Sequence, residues 1–204
     1  GGDRMGARFK PTRGEQYELG LRYQPPGSDT LLSAAVYQLT QQNVLSTDPV
    51  DTGFSVQTGE VRSRGLEIEL RTRIGRSASL IAAYAYTDAK NSRSNAGDQG
   101  QRVAAVSRHM ASSWLTHRFA SQGRGGWSVG AGLRYTGSQW SGTSAIDTPS
   151  SFLTDAMVAY DSGEWRLAFH ANNLTDEVVI TQCLSRGDCF YGERRSFQLA
   201  ATYR

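Results

Sequence analysis

Leu66-Glu67-Ile68-Glu69-Leu70-Arg71-Thr72-Arg73-Ile74 is the stretch whose reading decides the fold. Side chains alternate with period two along a strand, so Leu66, Ile68, Leu70, Thr72 and Ile74 share one face. Glu67, Glu69, Arg71 and Arg73 share the other. Charges on every second residue do not point into hydrocarbon, where an Arg at the midplane costs roughly 2–4 kcal/mol. They face water, and the apolar set faces lipid or a core. The stretch reads as a strand with its wet face turned to a lumen and its oily face turned to lipid.

The neighbouring sequence repeats the pattern. Tyr17, Leu19, Leu21 and Tyr23 alternate with Glu18, Gly20 and Arg22, and Leu80, Ala82, Tyr84 and Tyr86 alternate with smaller residues. Phe197, Leu199, Ala201 and Tyr203 alternate with Ser196, Gln198, Ala200 and Thr202. Further strands are expected over 32–40, 110–120, 127–136, 153–160 and 165–172. Connections between the strands alternate in length. Gln24 to Thr30, Gly75 to Ala78, Ser121 to Gly125 and Asp161 to Glu164 are short; Asn43 to Gly53, Lys90 to Arg102, Gly137 to Ser150 and Asp176 to Asp188 are long. Tight turns on one side and long loops on the other are the habit of an up-and-down outer-membrane β-barrel. Tyr17, Tyr23, Tyr86, Tyr135, Tyr160 and Tyr203 sit at the ends of the apolar stripes and read as interfacial girdles.

Composition agrees with this. The chain has 204 residues and 38% hydrophobic content, with a mean hydropathy of −0.47. No apolar run is long enough for a transmembrane helix, whereas a barrel needs only every second residue to be oily. The net charge of +3 comes from scattered Arg with only two Lys, Lys10 and Lys90, which argues against a nucleic-acid surface. Gly1-Gly2-Asp3-Arg4 starts without the apolar core of a signal peptide. Nine strands is an odd number, where single-chain bacterial barrels have even counts. We therefore expect residues 1–204 to be the back part of a larger barrel, one β unit without internal repeats.

Several stretches resemble the C-terminal half of a TonB-dependent siderophore receptor of the hydroxamate (ferrichrome and ferrioxamine) type. They are Lys10-Pro11 with 14–20, Gly59 to Glu69, Ala83 to Ala89, His109 to Trp114, Gly132 to Ser138, Asn172-Asn173-Leu174-Thr175-Asp176 and Cys189 to Arg195. They follow family order across nearly the whole chain. The resemblance implies an all-β, antiparallel, 22-stranded plugged barrel in the outer membrane of a Gram-negative bacterium, with its last nine strands here and the plug elsewhere. Such barrels normally finish on an aromatic residue; this chain ends Tyr203-Arg204.

Candidate site residues follow. Cys183 and Cys189 are the only cysteines. In an extracellular loop they read as a disulfide, and no nearby His supports a metal pair. The resemblance implies the same disulfide loop. Trp140, Phe190 and Tyr191 are candidates for the wall of a ligand vestibule, with loop packing as the alternative. Glu60, Arg62, Arg64, Glu67, Glu69, Arg71 and Arg73 are expected to form one lumen-facing ladder, either holding a plug or simply hydrating the wall. Arg186, Arg194 and Arg195 are expected to pair within their loop with Asp188 and Glu193. His109, His117 and His170 are placed on three different strands, and no nucleophile or metal motif is present. Gly-rich 123–132 reads as turn and strand rather than a phosphate cradle.

The function implied is binding of a ferric siderophore outside and TonB-coupled import through a plugged barrel, without cofactor and with iron only as cargo. The partners expected are the ferric siderophore, the TonB complex through an absent N-terminal region, outer-membrane lipid and the barrel-insertion machinery. A passive porin and an outer-membrane β-barrel hydrolase are the alternatives. Phage or bacteriocin docking on the long loops is compatible with the first reading. Nine strands alone would carry two unpaired edges, and would be expected to self-associate rather than transport.

Overall fold

A computed structural model describes residues 3–119, 125–142, 147–184 and 187–203. The described strands are β1 (Arg13–Tyr23), β2 (Leu31–Thr47), β3 (Ser55–Ile74), β4 (Ala78–Arg93), β5 (His109–Arg118), β6 (Gly125–Thr136), β7 (Gln139–Trp140), β8 (Asp147–Thr148), β9 (Ser151–Ser162), β10 (Trp165–Asn172), β11 (Ile180–Cys183), β12 (Cys189–Tyr191) and β13 (Ser196–Tyr203). Nine of them form one sheet in the order β1-β2-β3-β4-β5-β6-β9-β10-β13, every pair antiparallel. The nine are those expected from the alternation. The remaining four make two small hairpins, β7–β8 and β11–β12, inside long connections.

Register places the alternation on two coherent faces. Leu66, Ile68 and Leu70 of β3 stand opposite Val36, Ala34 and Leu32 of β2, and opposite Tyr86, Tyr84 and Ala82 of β4. Glu67 and Glu69 stand opposite Ala35 and Ser33, and opposite Ala85 and Ala83. Directly opposed residues point to the same side of a sheet, so oily and polar faces run unbroken from strand to strand.

The sheet has almost no core. Among the described residues, the buried hydrophobic ones are Ala159, Ala168, Ala171, Val179 and Cys183. Leu19 is 76% and Leu199 75% exposed. Covering a Leu with apolar surroundings is worth roughly 1.5–3 kcal/mol, and a soluble chain does not leave a whole face of them in water. Lipid is the medium that covers such a face.

The six tyrosines named above all lie on the oily face, in two tiers. Tyr23, Tyr160 and Tyr203 are at the tight-turn end, with Trp127 at 4.8 Å from Tyr160 and Trp165 at 5.2 Å from Tyr203 between ring centroids. Tyr17, Tyr86 and Tyr135 are at the other, with His109 5.2 Å from Tyr86. Tyr17 and Tyr23 are separated by roughly 20 Å of strand, close to the height of a lipid-facing band.

Tight turns close on glycine where the backbone turns left-handed, as at Gly75 (φ 64°) and Gly163 (φ 59°). The turn expected over Ser121 to Gly125 lies largely outside the described residues, as does Arg204. On the opposite side β2, β3 and β4 are longer than the alternation indicated, running to Thr47, from Ser55 and to Arg93. The connection 48–54 is consequently no longer than 24–30. There the asymmetry is carried by strands that outrun the bilayer, not by loop length.

Candidate functional site

Beyond the upper tyrosine tier, the four connections on that side of the sheet are linked in sequence by hydrogen bonds. The Asn95 amide donates to Ser46 Oγ at 2.6 Å, tying the β4–β5 connection to the end of β2. The Ala105 amide donates to the Trp140 carbonyl at 2.8 Å, and Ser107 Oγ donates to the Gly137 carbonyl at 2.9 Å. The Cys183 amide donates to Thr148 Oγ1 at 2.8 Å. Each loop leans on the next.

The last connection is built on Asn173, which is 3% exposed. Its amide donates to Asp155 Oδ1 at 2.9 Å. Its Oδ1 accepts from the Glu177 amide at 2.8 Å, and its Nδ2 donates to the Glu177 carbonyl at 2.9 Å and the Glu193 carbonyl at 3.3 Å. Asn173 and Asp176 both have positive φ, 49° and 56°, a conformation that Asn and Asp tolerate better than most residues. Asp176 takes a bidentate pair from Arg194, Nε at 2.9 Å and Nη2 at 2.7 Å, and accepts the Arg195 amide at 3.0 Å. The Arg194 guanidinium, seconded by that amide, draws the Asp176 carboxyl down to about 2. In the sequence, Asn172 to Asp176 stands out only as a point of resemblance. The clue to its role was the run of residues that accept left-handed backbone. The expectation that Arg194 pairs with Asp188 or Glu193 is corrected: its carboxylate is Asp176, across the neck of the loop. Arg186 lies outside the described residues.

Above this neck the hairpin β11–β12 pairs Cys183 with Cys189, and the two are joined in a disulfide with Cα atoms 4.1 Å apart. Phe190 is 51% and Tyr191 72% exposed on its second strand. Trp140 is half-buried in β7, paired with Asp147 of β8. The three aromatics expected at a vestibule therefore occupy two adjoining hairpins of the rim.

The polar face of the sheet forms a trough of about 770 Å³ lined by Glu18, Arg22, Glu67, Glu69 and Arg134 among others. Arg71 Nε donates to Glu69 Oε1 at 2.5 Å, and Arg73 lies 3.4 Å from Asp29 near the tight-turn end. Arg134 makes a bidentate pair with Asp155 at 2.6 and 2.8 Å, joining this wall to the Asn173 neck. The ladder expected to include Glu60, Arg62 and Arg64 is corrected by parity. The β3–β4 register is continuous from Val61 to Ile74, so Arg62 and Arg64 share the face of Leu66, not that of Glu67. They are tolerated there because β3 has by then passed the tyrosine tier. Glu60, beyond the register shift, is buried against Ser92 at 2.7 Å and Arg62 at 3.2 Å. His109 and His117 are on one strand, β5, and His170 on β10, so the three occupy two strands rather than three.

Residues 1–174 match the family model for the β-barrel of TonB dependent receptor-like proteins. The chain belongs to the TonB-dependent receptor β-barrel family. Its strands are those of an outer-membrane barrel of Gram-negative bacteria, and the family is one of transport receptors, not enzymes. The Escherichia coli K12 "Ferrichrome outer membrane transporter/phage receptor" is 36% identical over 202 residues, which is 96% of this chain and 27% of that protein. The "Ferrioxamine receptor" of Yersinia enterocolitica is 37% identical over 203 residues, 96% of this chain and 28% of that protein. The chain thus spans a little over a quarter of the length of these curated relatives. Among solved structures, the E. coli ferric-catecholate import receptor Fiu in its closed form superposes with a TM-score of 0.80 at 24% identity, covering 100% of this chain and 29% of that one. The ferric preacinetobactin receptor BauA of Acinetobacter baumannii gives 0.81 at 21% identity, covering 97% and 30%. At such identities the superpositions establish the fold.

Proposed function

We propose that the intact protein binds a ferric hydroxamate siderophore at the cell surface and imports it by TonB-coupled transport. Similarity to ferrichrome and ferrioxamine receptors along nearly the whole chain carries this reading. The rim is consistent with it. Trp140, Phe190 and Tyr191 offer aromatic surface on adjoining hairpins, suited to the compact, uncharged exterior of a hydroxamate complex. The barrel does no chemistry, needs no cofactor, and takes iron only as cargo.

Residues 1–204 act as the C-terminal nine strands of a 22-stranded barrel. β1 and β13 are the edges of the sheet, and in the whole receptor an upstream strand pairs with each, because an open edge invites aggregation. The polar face, with Glu67, Glu69, Arg71 and Arg73, looks into the lumen and seats a plug. Contact with the TonB complex belongs to a segment outside this chain. Outer-membrane lipid and the barrel-insertion machinery are the remaining partners, and nucleic acid is not one.

Growth tests the proposal. In a strain lacking other hydroxamate receptors, deletion of the whole gene abolishes growth on ferric ferrichrome or ferrioxamine as sole iron source, and the plasmid-borne gene restores it. Unimpaired growth of the deletion strain on both would refute the assignment.

A further inference from the structure

The two aromatic hairpins of the rim are joined through a hydroxyl that belongs to neither cysteine nor aromatic residue. Cys183 and Cys189 are directly opposed with Cα atoms 4.1 Å apart, the spacing of a non-hydrogen-bonded pair in an antiparallel ladder. In such a pair each amide points away from the partner strand. The Cys183 N–H is therefore left without an acceptor inside its own hairpin, while Cys183 itself is only 2% exposed. A buried amide without a partner is costly. Thr148 meets the need: its Oγ1 lies 2.8 Å from that nitrogen, and Thr148 is 2% exposed. Thr148 also pairs with Gln139 in the β7–β8 hairpin, one step from the Trp140–Asp147 pair. On its far side the same hairpin is fixed by the Ala105 amide on the Trp140 carbonyl and by a bridge between Ser107 and Gln139.

We propose that Thr148 is a positioning residue of the siderophore vestibule: its hydroxyl, closed on the Cys183 amide, sets Phe190 and Tyr191 of the disulfide hairpin against Trp140 of the neighbouring one. The disulfide fixes the hairpin's internal shape, and Thr148 fixes where that hairpin stands. The link is sequence-specific, since Val has the same outline without an acceptor and Ser keeps the acceptor with less bulk. Its effect on ligand rests on the siderophore reading above; the link itself does not.

The test compares T148V and T148S in the full-length receptor, reading amide hydrogen exchange and ferric ferrichrome affinity together. T148V accelerates exchange in peptides covering 180–184 and 139–142 by about three- to tenfold, the size set by one neutral hydrogen bond. Exchange in the β9 and β10 barrel strands does not change. T148S stays near wild type. Affinity for ferric ferrichrome falls by a similar factor in T148V and is retained in T148S. Unchanged exchange around Cys183 in T148V overturns the link. Faster exchange with unaltered affinity overturns the positioning role. A wild-type receptor that binds no ferric hydroxamate refutes the proposed function, while the exchange comparison still decides whether Thr148 joins the hairpins.

Discussion

Trp114 of β5 stands directly opposite Gly132 of β6, and its indole lies across both Gly132 and Gly130 on the polar face. A Cβ added at Gly130 would come within 2.6 Å of the ring. The indole Nε1 donates to Thr116 Oγ1 at 3.0 Å, which keeps its polar edge satisfied along the strand. Tyr37 over Gly65 repeats the device between β2 and β3, where an added Cβ would sit 2.5 Å from the ring. A ring laid over glycine replaces the cross-strand packing that glycine cannot supply and smooths the wall at that point. Gly132→Val should force the indole off the sheet at a cost of about 1–3 kcal/mol, as overpacking does. The check is the temperature at which the purified full-length barrel loses its heat-modifiable band on gels. Trp114→Ala together with Gly132→Val should recover part of that loss.

Parity along β3 makes a second prediction. Ile68 and Arg64 lie on one face, Glu67 and Glu69 on the other, with register to both neighbouring strands to fix the assignment. Single cysteines at 68 and 69 in the native receptor should separate cleanly. The one at 68 should react with an acyl-chain probe and the one at 69 should be shielded from it. A cysteine at 64 should react with a water-soluble reagent added outside whole cells, because β3 has left the lipid band there. Lipid labelling at 69 in preference to 68 would invert the sheet.

How much of this was legible beforehand depends on range. The β3 charges and the oily faces of β1, β4 and β13 are period-two patterns within one strand, and each appeared where alternation put it. The lengths of β2, β3 and β4 beyond the bilayer were not legible, because there the polar residues on both faces erase the alternation. For the same reason charge alone points Arg62 and Arg64 to the side of Glu67, whereas counting by twos places them with Leu66. The disulfide was legible from two cysteines in one loop. Asn173, Asp176 with Arg194, and Thr148 with Cys183 were not. Each depends on which loops the barrel brings side by side, and no local pattern encodes that.

The disulfide should act locally. Closing so short a loop is worth about 2 kcal/mol by chain entropy. The barrel strands make none of their ladder pairs through β11 or β12. C183S with C189S, or mild reduction by a dithiol, should therefore raise protease nicking near the hairpin by roughly 30-fold, the equivalent of that free energy. The heat-modifiability transition should stay where it was. A lowered transition would mean that the hairpin buttresses the barrel as well as the rim.

Acid should open the neck of the last loop late. The Arg194 guanidinium and the Arg195 amide hold the Asp176 carboxyl down at about 2, against an ordinary value of 3.8. A carboxyl whose folded value is depressed contributes stability that is complete above its unfolded value and is lost as pH falls toward the folded one. The Asp176–Arg194 clasp should accordingly hold unchanged from neutral pH to about 4 and loosen between there and about 2, and being exposed it should weaken further in high salt. Amide exchange of the peptide covering 174–180, corrected for its intrinsic pH dependence, is the measurement. Asp176→Asn keeps an acceptor for the Arg195 amide but loses the charge. Its neck should exchange faster at neutral pH and lose the part of the acid opening that Asp176 contributes, keeping the part carried by Asp155, which accepts the Asn173 amide and is itself paired with Arg134. If the wild-type neck instead opened between pH 6 and 5, a group other than Asp176 would govern it, and the Asp176–Arg194 clasp would not be what holds the loop closed.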